Sequence, residues 1–419
     1  MPTRRQFIAF MPPLLAACAS QPGVSNASNN LAAASATTTA TGTAALDTKP
    51  KPQAACTSAA WPAWVAFRDK FIQADGRVID FNADNHSTSE GQAYALFFAL
   101  VANDRQSFER VLDWARANLA GGDLTARLMA WHWGKKSDGS WGVLDANAAS
   151  DADLWLSYTL YQAAHIWQDN KLRSIAELLQ ARIEKELIIH VPEIGPVLLP
   201  GPQGFALKSG GWKLNPSYMP LQVLAGLQRE APKGPWKALA RSTLAMMDAV
   251  TPQFIVADWV ALRPQQGFVL DKEVGVNGSY DAIRNYLWAG MLSAQDPLRN
   301  KLLARMKGML ALLEKNIVPH KLDASNGAQA DGSGPLGFSA ALLPFLAANG
   351  ATSALERQKV RISSGGGVPI IYYEQALALF AAGFLEQRFH FARDGRLTIP
   401  KQAPKQAPNQ APKQANCNT

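Results

Sequence analysis

From residue 57 to about 386 the chain repeats its apolar residues at steps of three and four, the spacing that lines one face of a helix. Trp61, Trp64, Phe67 and Phe71 follow this rule, as do Tyr94, Phe97, Phe98 and Val101. Phe108, Val111, Leu112, Ala115 and Leu119 make a third run, with Gly121-Gly122 as its stop. Further helices are expected at 151–168, 171–187, 216–229, 235–249, 280–293, 297–316, 338–348, 352–362 and 370–386. Only 77–81, 188–199 and 389–399 read as extended, the last around the turn Asp394-Gly395. Strands do not alternate with helices, which excludes a parallel α/β sheet. About twelve helices around one core fit an α-solenoid or a closed ring of helical hairpins, and periodicity does not separate the two.

The ends have a different character. Thr3-Arg4-Arg5-Gln6-Phe7-Ile8 is a twin-arginine pattern ahead of a short apolar run, so residues 1–18 read as an export segment. Leu15-Ala16-Ala17-Cys18 fits a lipobox, which would acylate Cys18; cleavage just beyond at small residues fits equally well. Either way the expected location is the periplasm or the medium, and Cys18 is the one expected link to a membrane. Residues 19–55 are rich in Ala, Thr, Ser and Asn and read as a tether, and 401–419 as a Pro/Gln/Lys-rich tail. The folded domain is expected over 56–400, as a monomer. Cys56 and Cys417 lie at its two edges, where an oxidising compartment would let them pair.

The net charge is +8, yet seven cations and one acid lie outside 57–400, which leaves only +2 on the central block. That offers no basic face for nucleic acid. The six His are scattered without ligand spacing, so neither a metal nor another cofactor is expected. All 12 Trp lie in the central block, where they serve as core or as faces on which sugar rings stack.

Three acidic segments can carry chemistry. Ser87-Thr88-Ser89-Glu90 fits a capping box, in which Glu90 would serve the helix start. A carboxyl in that first turn beside apolar neighbours also suits a general acid. Asp151-Ala152-Asp153 fits helix capping, a metal-binding pair or, with Trp155, the holding of a sugar. Asp281 and Arg284 are spaced to share one helix face, as a plain ion pair or as a base kept ionised and oriented by its arginine.

Taken together, Ser89-Glu90-Gly91-Gln92, Ala149-Ser150-Asp151-Ala152-Asp153 through Trp167, Asn215-Pro216-Ser217-Tyr218, Ser279 to Arg284, and Tyr372-Tyr373 resemble glycoside hydrolase family 8. Within that family they are most similar to the periplasmic endoglucanases that accompany bacterial cellulose synthase. Leu156-Ser157 departs from the usual Ile or Met followed by Ala, and leaves the acids untouched. The resemblance implies an all-α (α/α)6 barrel of six hairpins with a few short strands. It implies an inverting endo-β-1,4-glucanase acting on a β-1,4-glucan chain, with the cellulose synthase complex as a partner. Glu90 matches the general acid, Asp281 the base, and Asp151 the carboxylate that grips the sugar beside the cut. Arg284 should orient Asp281. Trp131, Trp212, Tyr218, Tyr372 and Tyr373 match positions that stack on or hydrogen-bond to sugars. Xylan, chitosan or mixed-linkage glucan would be alternative substrates. A non-catalytic glucan-binding scaffold is the alternative of another class.

Overall fold

The computed structural model describes residues 61–400. The export segment, the tether, Cys18, Cys56, Cys417 and the C-terminal tail lie outside the described residues.

Thirteen α-helices follow along the described chain: α1 Pro62–Phe71, α2 Ser89–Val101, α3 Arg105–Asn118, α4 Ser150–Trp167, α5 Asn170–Leu187, α6 Leu221–Glu230, α7 Trp236–Val250, α8 Ala282–Met291, α9 Arg299–Ala304, α10 Lys307–Glu314, α11 Leu336–Ala348, α12 Thr352–Ser364 and α13 Tyr372–Leu385. Six of them, α2, α4, α6, α8, α11 and α13, touch in that order, and α13 returns to α2. The ring therefore closes, which separates the (α/α)6 barrel from a solenoid. The other helices back this ring from outside, with α9 and α10 sharing one outer position that periodicity reads as a single helix over 297–316.

Sequence sorts the two layers. Every residue of α2 is buried, and its only charged residue is Glu90. By contrast α3 buries Phe108, Val111, Leu112, Trp114 and Ala115 on one face and carries its charges on the other. The barrel centre is aromatic. Phe380 of α13 lies 5.0 Å from Tyr94, 5.3 Å from Phe97, 4.6 Å from Phe98, and 5.2 Å from both Trp155 and Trp288, ring centre to ring centre. Trp155 is thus core and has no face for a sugar.

Short antiparallel sheets decorate the ring. Two of the stretches expected to be extended form hairpins, Ile188–Val191 with Gly195–Leu198 and, around the expected turn, His390–Phe391 with Leu397–Thr398. Residues 77–81 make only isolated bridges, such as Asp80 to His86. Three sheets were not apparent from periodicity. They join Ser87–Thr88, His132–Lys135 and Trp141–Asp145; Trp212–Leu214, Val260–Arg263 and Gly267–Val269; and Asn277–Gly278, Pro319–Asp323 and Gln329–Ser333. Each feeds the start of an inner helix, so these sheets frame one end of the barrel. Among the described residues no helix is long and apolar enough to cross a membrane.

Candidate active site

Inner helices begin at this framed end. Thr88 Oγ1 accepts the Gly91 N–H at 3.1 Å and so caps α2. The cap is one residue later than a box on Ser87 requires. Ser87 instead accepts from Arg77 Nε at 2.9 Å and donates to the Val78 carbonyl at 2.6 Å. Glu90 is therefore released from the helix start. Its carboxylate accepts a hydrogen bond from Arg284 Nη1.

The same guanidinium serves two more acids. Nη1 donates to Asp151 Oδ2 at 2.9 Å, and Nη2 donates to Asp281 Oδ1 at 2.8 Å. Arg284 thus gathers Glu90 from α2, Asp151 from α4 and Asp281 from the start of α8, rather than orienting Asp281 alone. Side-chain exposure is 0% for Arg284, 6% for Glu90, 4% for Asp151 and 18% for Asp281, so Asp281 is the most open of the three acids. Glu90 and Asp281 bond to different nitrogens of one planar group. Three carboxylates thus share one guanidinium, each near the positive end of an inner helix.

Asp153 turns away from Asp151. It is fully buried and accepts from the Met129 N–H at 3.3 Å, and burial pushes its carboxyl well above the usual range. The two acids of this segment therefore do not act as a metal-binding pair. Tyr94, buried at 3.4 Å from Arg284 Nη1, has its hydroxyl pushed up, by burial first and by Glu90 second.

Trp131, Trp212 and Tyr218 are half-buried around this end. The Trp131 carbonyl accepts from Ser89 N at 3.1 Å, which ties it to the turn that carries Glu90. Tyr218 lies under Arg284, 5.4 Å from ring centre to guanidinium carbon. The two tyrosines of α13, expected to stack on or hydrogen-bond to sugars, are more deeply buried. Tyr372 is 4% exposed, with its ring against Phe67 and Phe71, and Tyr373 is 8% exposed. Neither offers a ring face to a sugar. Tyr373 donates its hydroxyl to the Tyr280 carbonyl at 2.5 Å, and the Tyr372 hydroxyl lies beside Gly91, next to Glu90. What they retain is hydrogen bonding and support.

Sequence reasoning missed several neighbours. Trp259 is half-buried between Tyr218, 6.2 Å away, and Phe205, stacked at 6.1 Å. Trp141 is 46% exposed and stacks on Trp133 at 5.4 Å. Lys213 lies 4.1 Å over Trp259; burial lowers its pKa, while Asp281 and Asp258 raise it. Asp258, half-buried, has its carboxyl pushed up to about 7 by burial first and by Asp281 second. The signal for this group was the dipeptide Asp258-Trp259, an acid and an aromatic in a stretch without period.

Chains of known character share this arrangement in sequence and shape. The chain matches Glycosyl hydrolases family 8 over residues 52–387. It is 46% identical over 342 residues to an endoglucanase of Xanthomonas axonopodis pv. citri (strain 306), covering 80% of this chain and 88% of that protein. An endoglucanase of Escherichia coli (strain K12) is 42% identical over 347 residues, covering 82% and 92%. The crystal structure of endo-1,4-D-glucanase from Vibrio fischeri ES114 superposes with a TM-score of 0.75 at 38% identity, covering 81% of this chain and 99% of that one. A cold-adapted family 8 xylanase, at 15% identity and a TM-score of 0.61, shares the fold alone. A closed ring of six hairpins, a cluster of acids at one end and a match that spans the described domain make this chain a glycoside hydrolase and a member of family 8.

Proposed function

We propose that this enzyme hydrolyses internal β-1,4 bonds of a glucan such as cellulose, with inversion at the anomeric carbon, during bacterial cellulose biosynthesis. One observation carries the reading: Glu90, Asp151 and Asp281 converge on Arg284 at the end where the inner helices begin. Glu90 gives its proton to the glycosidic oxygen as the C1–O bond breaks. Asp281, the most open acid, takes a proton from the water that attacks C1 on the opposite face. Inversion needs a gap of about 6.5–9.5 Å between the two carboxyls to seat that water. Asp151 holds the sugar beside the cut, and half-buried Trp131, Trp212, Tyr218 and Trp259 offer ring faces along the glucan. The similarity to endoglucanases of Xanthomonas and Escherichia supports a glucan over xylan or chitosan.

The Arg4-Arg5 segment supports export, so the polymer is met in the periplasm or outside the cell, where the cellulose synthase complex delivers it. Fractionating cells that express the full chain and its Cys18→Ala variant separates an acylated, membrane-held form from a released one.

The test of the chemistry is turnover of carboxymethyl cellulose by purified Glu90→Gln and Asp281→Asn. Each should lose at least about a hundredfold in kcat, the low end of what general acid–base groups supply. Normal turnover by either variant sinks its assigned role. NMR of fresh products should show the α-anomer first; a first-formed β-anomer means retention. Faster cleavage of xylan or chitosan than of cellulose derivatives would move the substrate.

A further inference from the structure

Asp281 stands at the N-cap of α8, where an aspartate ordinarily accepts the N–H of the second or third helical residue. Its side chain makes no such bond. The N–H groups of Ile283 and Arg284 bond instead to the carbonyls of Ser279 and Asp281, and the donors just ahead of them go to Asp258, on the segment after α7. Asp258 Oδ1 accepts from the backbone N–H of Ser279 at 2.8 Å, of Asp281 at 3.0 Å and of Ala282 at 2.7 Å. Asp258 is itself fixed, because its N–H donates to the Asn277 carbonyl at 2.9 Å. A side chain at Gly278 would meet the Val256 carbonyl at 2.1 Å, so the two backbones pass each other closely at this point. The start of α2 shows the same division of labour, with Thr88 as cap and Glu90 released to Arg284.

We propose that Asp258 is a positioning residue for hydrolysis: it holds the backbone on both sides of Asp281 and so keeps the Asp281 carboxylate turned to Arg284 and the attacking water. This rests on Asp281 being the base. Without Asp258, three backbone donors lose their acceptor, and the turn that carries Asp281 is no longer held in place. The charged and titratable groups around Asp258 are Asp281 itself, Lys213 from the neighbouring strand and the Tyr286 hydroxyl, which accepts from Val256 N at 3.1 Å. The three bonds to Asp258 all come from backbone N–H groups, that of Asp281 among them, so the role depends on an acceptor oxygen at position 258 and not on its charge.

The experiment uses the full chain with Asp258→Ala and Asp258→Asn, assayed on cellohexaose. Asp258→Ala should lose about a hundredfold in kcat, the scale of an ångström misplacement of a catalytic group, with KM within about twofold. Asp258→Asn keeps an acceptor oxygen and should restore kcat to within about threefold of the parent. A folded Asp258→Ala with normal kcat overturns the proposal, as does an Asp258→Asn variant as slow as the Ala variant, since the carboxylate would then act through its charge or proton. If Asp258→Ala does not fold, the Asn variant decides alone: near-normal kcat supports the proposal and a hundredfold loss overturns it. Asp281→Asn in parallel separates the two layers. An active Asp281→Asn removes the base assignment, whereas an inactive one beside a fully active Asp258→Ala removes only the role of Asp258.

Discussion

Arg284 is fully buried and spends its two Nη atoms on three carboxylates drawn from three inner helices. Removing a partner from a buried ionic cluster leaves charge without compensation, at a cost of about 3–5 kcal/mol. Arg284→Ala should lose that much stability in urea unfolding at neutral pH. Arg284→Lys keeps the charge but not the planar fork, and should stay folded while kcat falls about a hundredfold. Asp258 supplies a pH test. Its folded pKa is raised to about 7, so as the pH climbs from the ordinary carboxylate range the unfolded chain gives up the proton while the folded chain keeps it. The native state loses stability through this window and no further above it. Asp258→Asn, which cannot ionise, should therefore be more stable than the parent by about 1–2 kcal/mol at pH 8, after allowance for partial exposure, with the difference vanishing near pH 4. Melting curves at the two pH values check this, and a gap that widens towards acid reverses the sign. Glu90, Asp151 and Asp281 were legible in the sequence because each lies in a segment whose neighbours are diagnostic. Asp258 was not, because its role depends on backbone donors near residue 280, a relation that no local spacing encodes.

Helices were legible where amphipathic, and less so at their ends. Expected 216–229 is a short 3-10 turn at Pro216–Tyr218 followed by α6, and expected 280–293 shortens to Ala282–Met291, with the N–H of its first residue bonded to an acid from another segment. The framing sheets escaped notice because their strands are two to five residues long and mix Gly, Trp and Lys, too short for a period-two pattern. Close packing between elements is likewise invisible in one dimension. A Cβ on Gly290 of α8 would lie 2.3 Å from Phe345 N and 2.4 Å from the Pro344 carbonyl carbon on α11. In an open helix Gly→Ala would gain up to about 1 kcal/mol of helix propensity. Here the methyl meets backbone, so Gly290→Ala should instead cost about 1–3 kcal/mol in denaturant unfolding. A neutral or stabilising result would mean that α8 and α11 can separate without loss.

Ring closure joins all of this into one unit. The acids sit on α2, α4 and the start of α8, while Phe380, which touches aromatics from those same three helices, sits on α13 at the far end of the chain order. The site is therefore complete only when the last inner helix has docked against the first. Phe380→Ala removes the ring that these helices share, and should cost about 3–5 kcal/mol of stability. It should do so without moving the acids in the molecules that remain folded. In urea, hydrolysis and tryptophan fluorescence should be lost at one common midpoint, in the parent and in Phe380→Ala alike, with both midpoints lower in the variant. Activity that disappears well before the fluorescence changes would show that the acidic end loosens while the barrel stays shut. Closure by α13 would then not be what holds Glu90, Asp151 and Asp281 around Arg284.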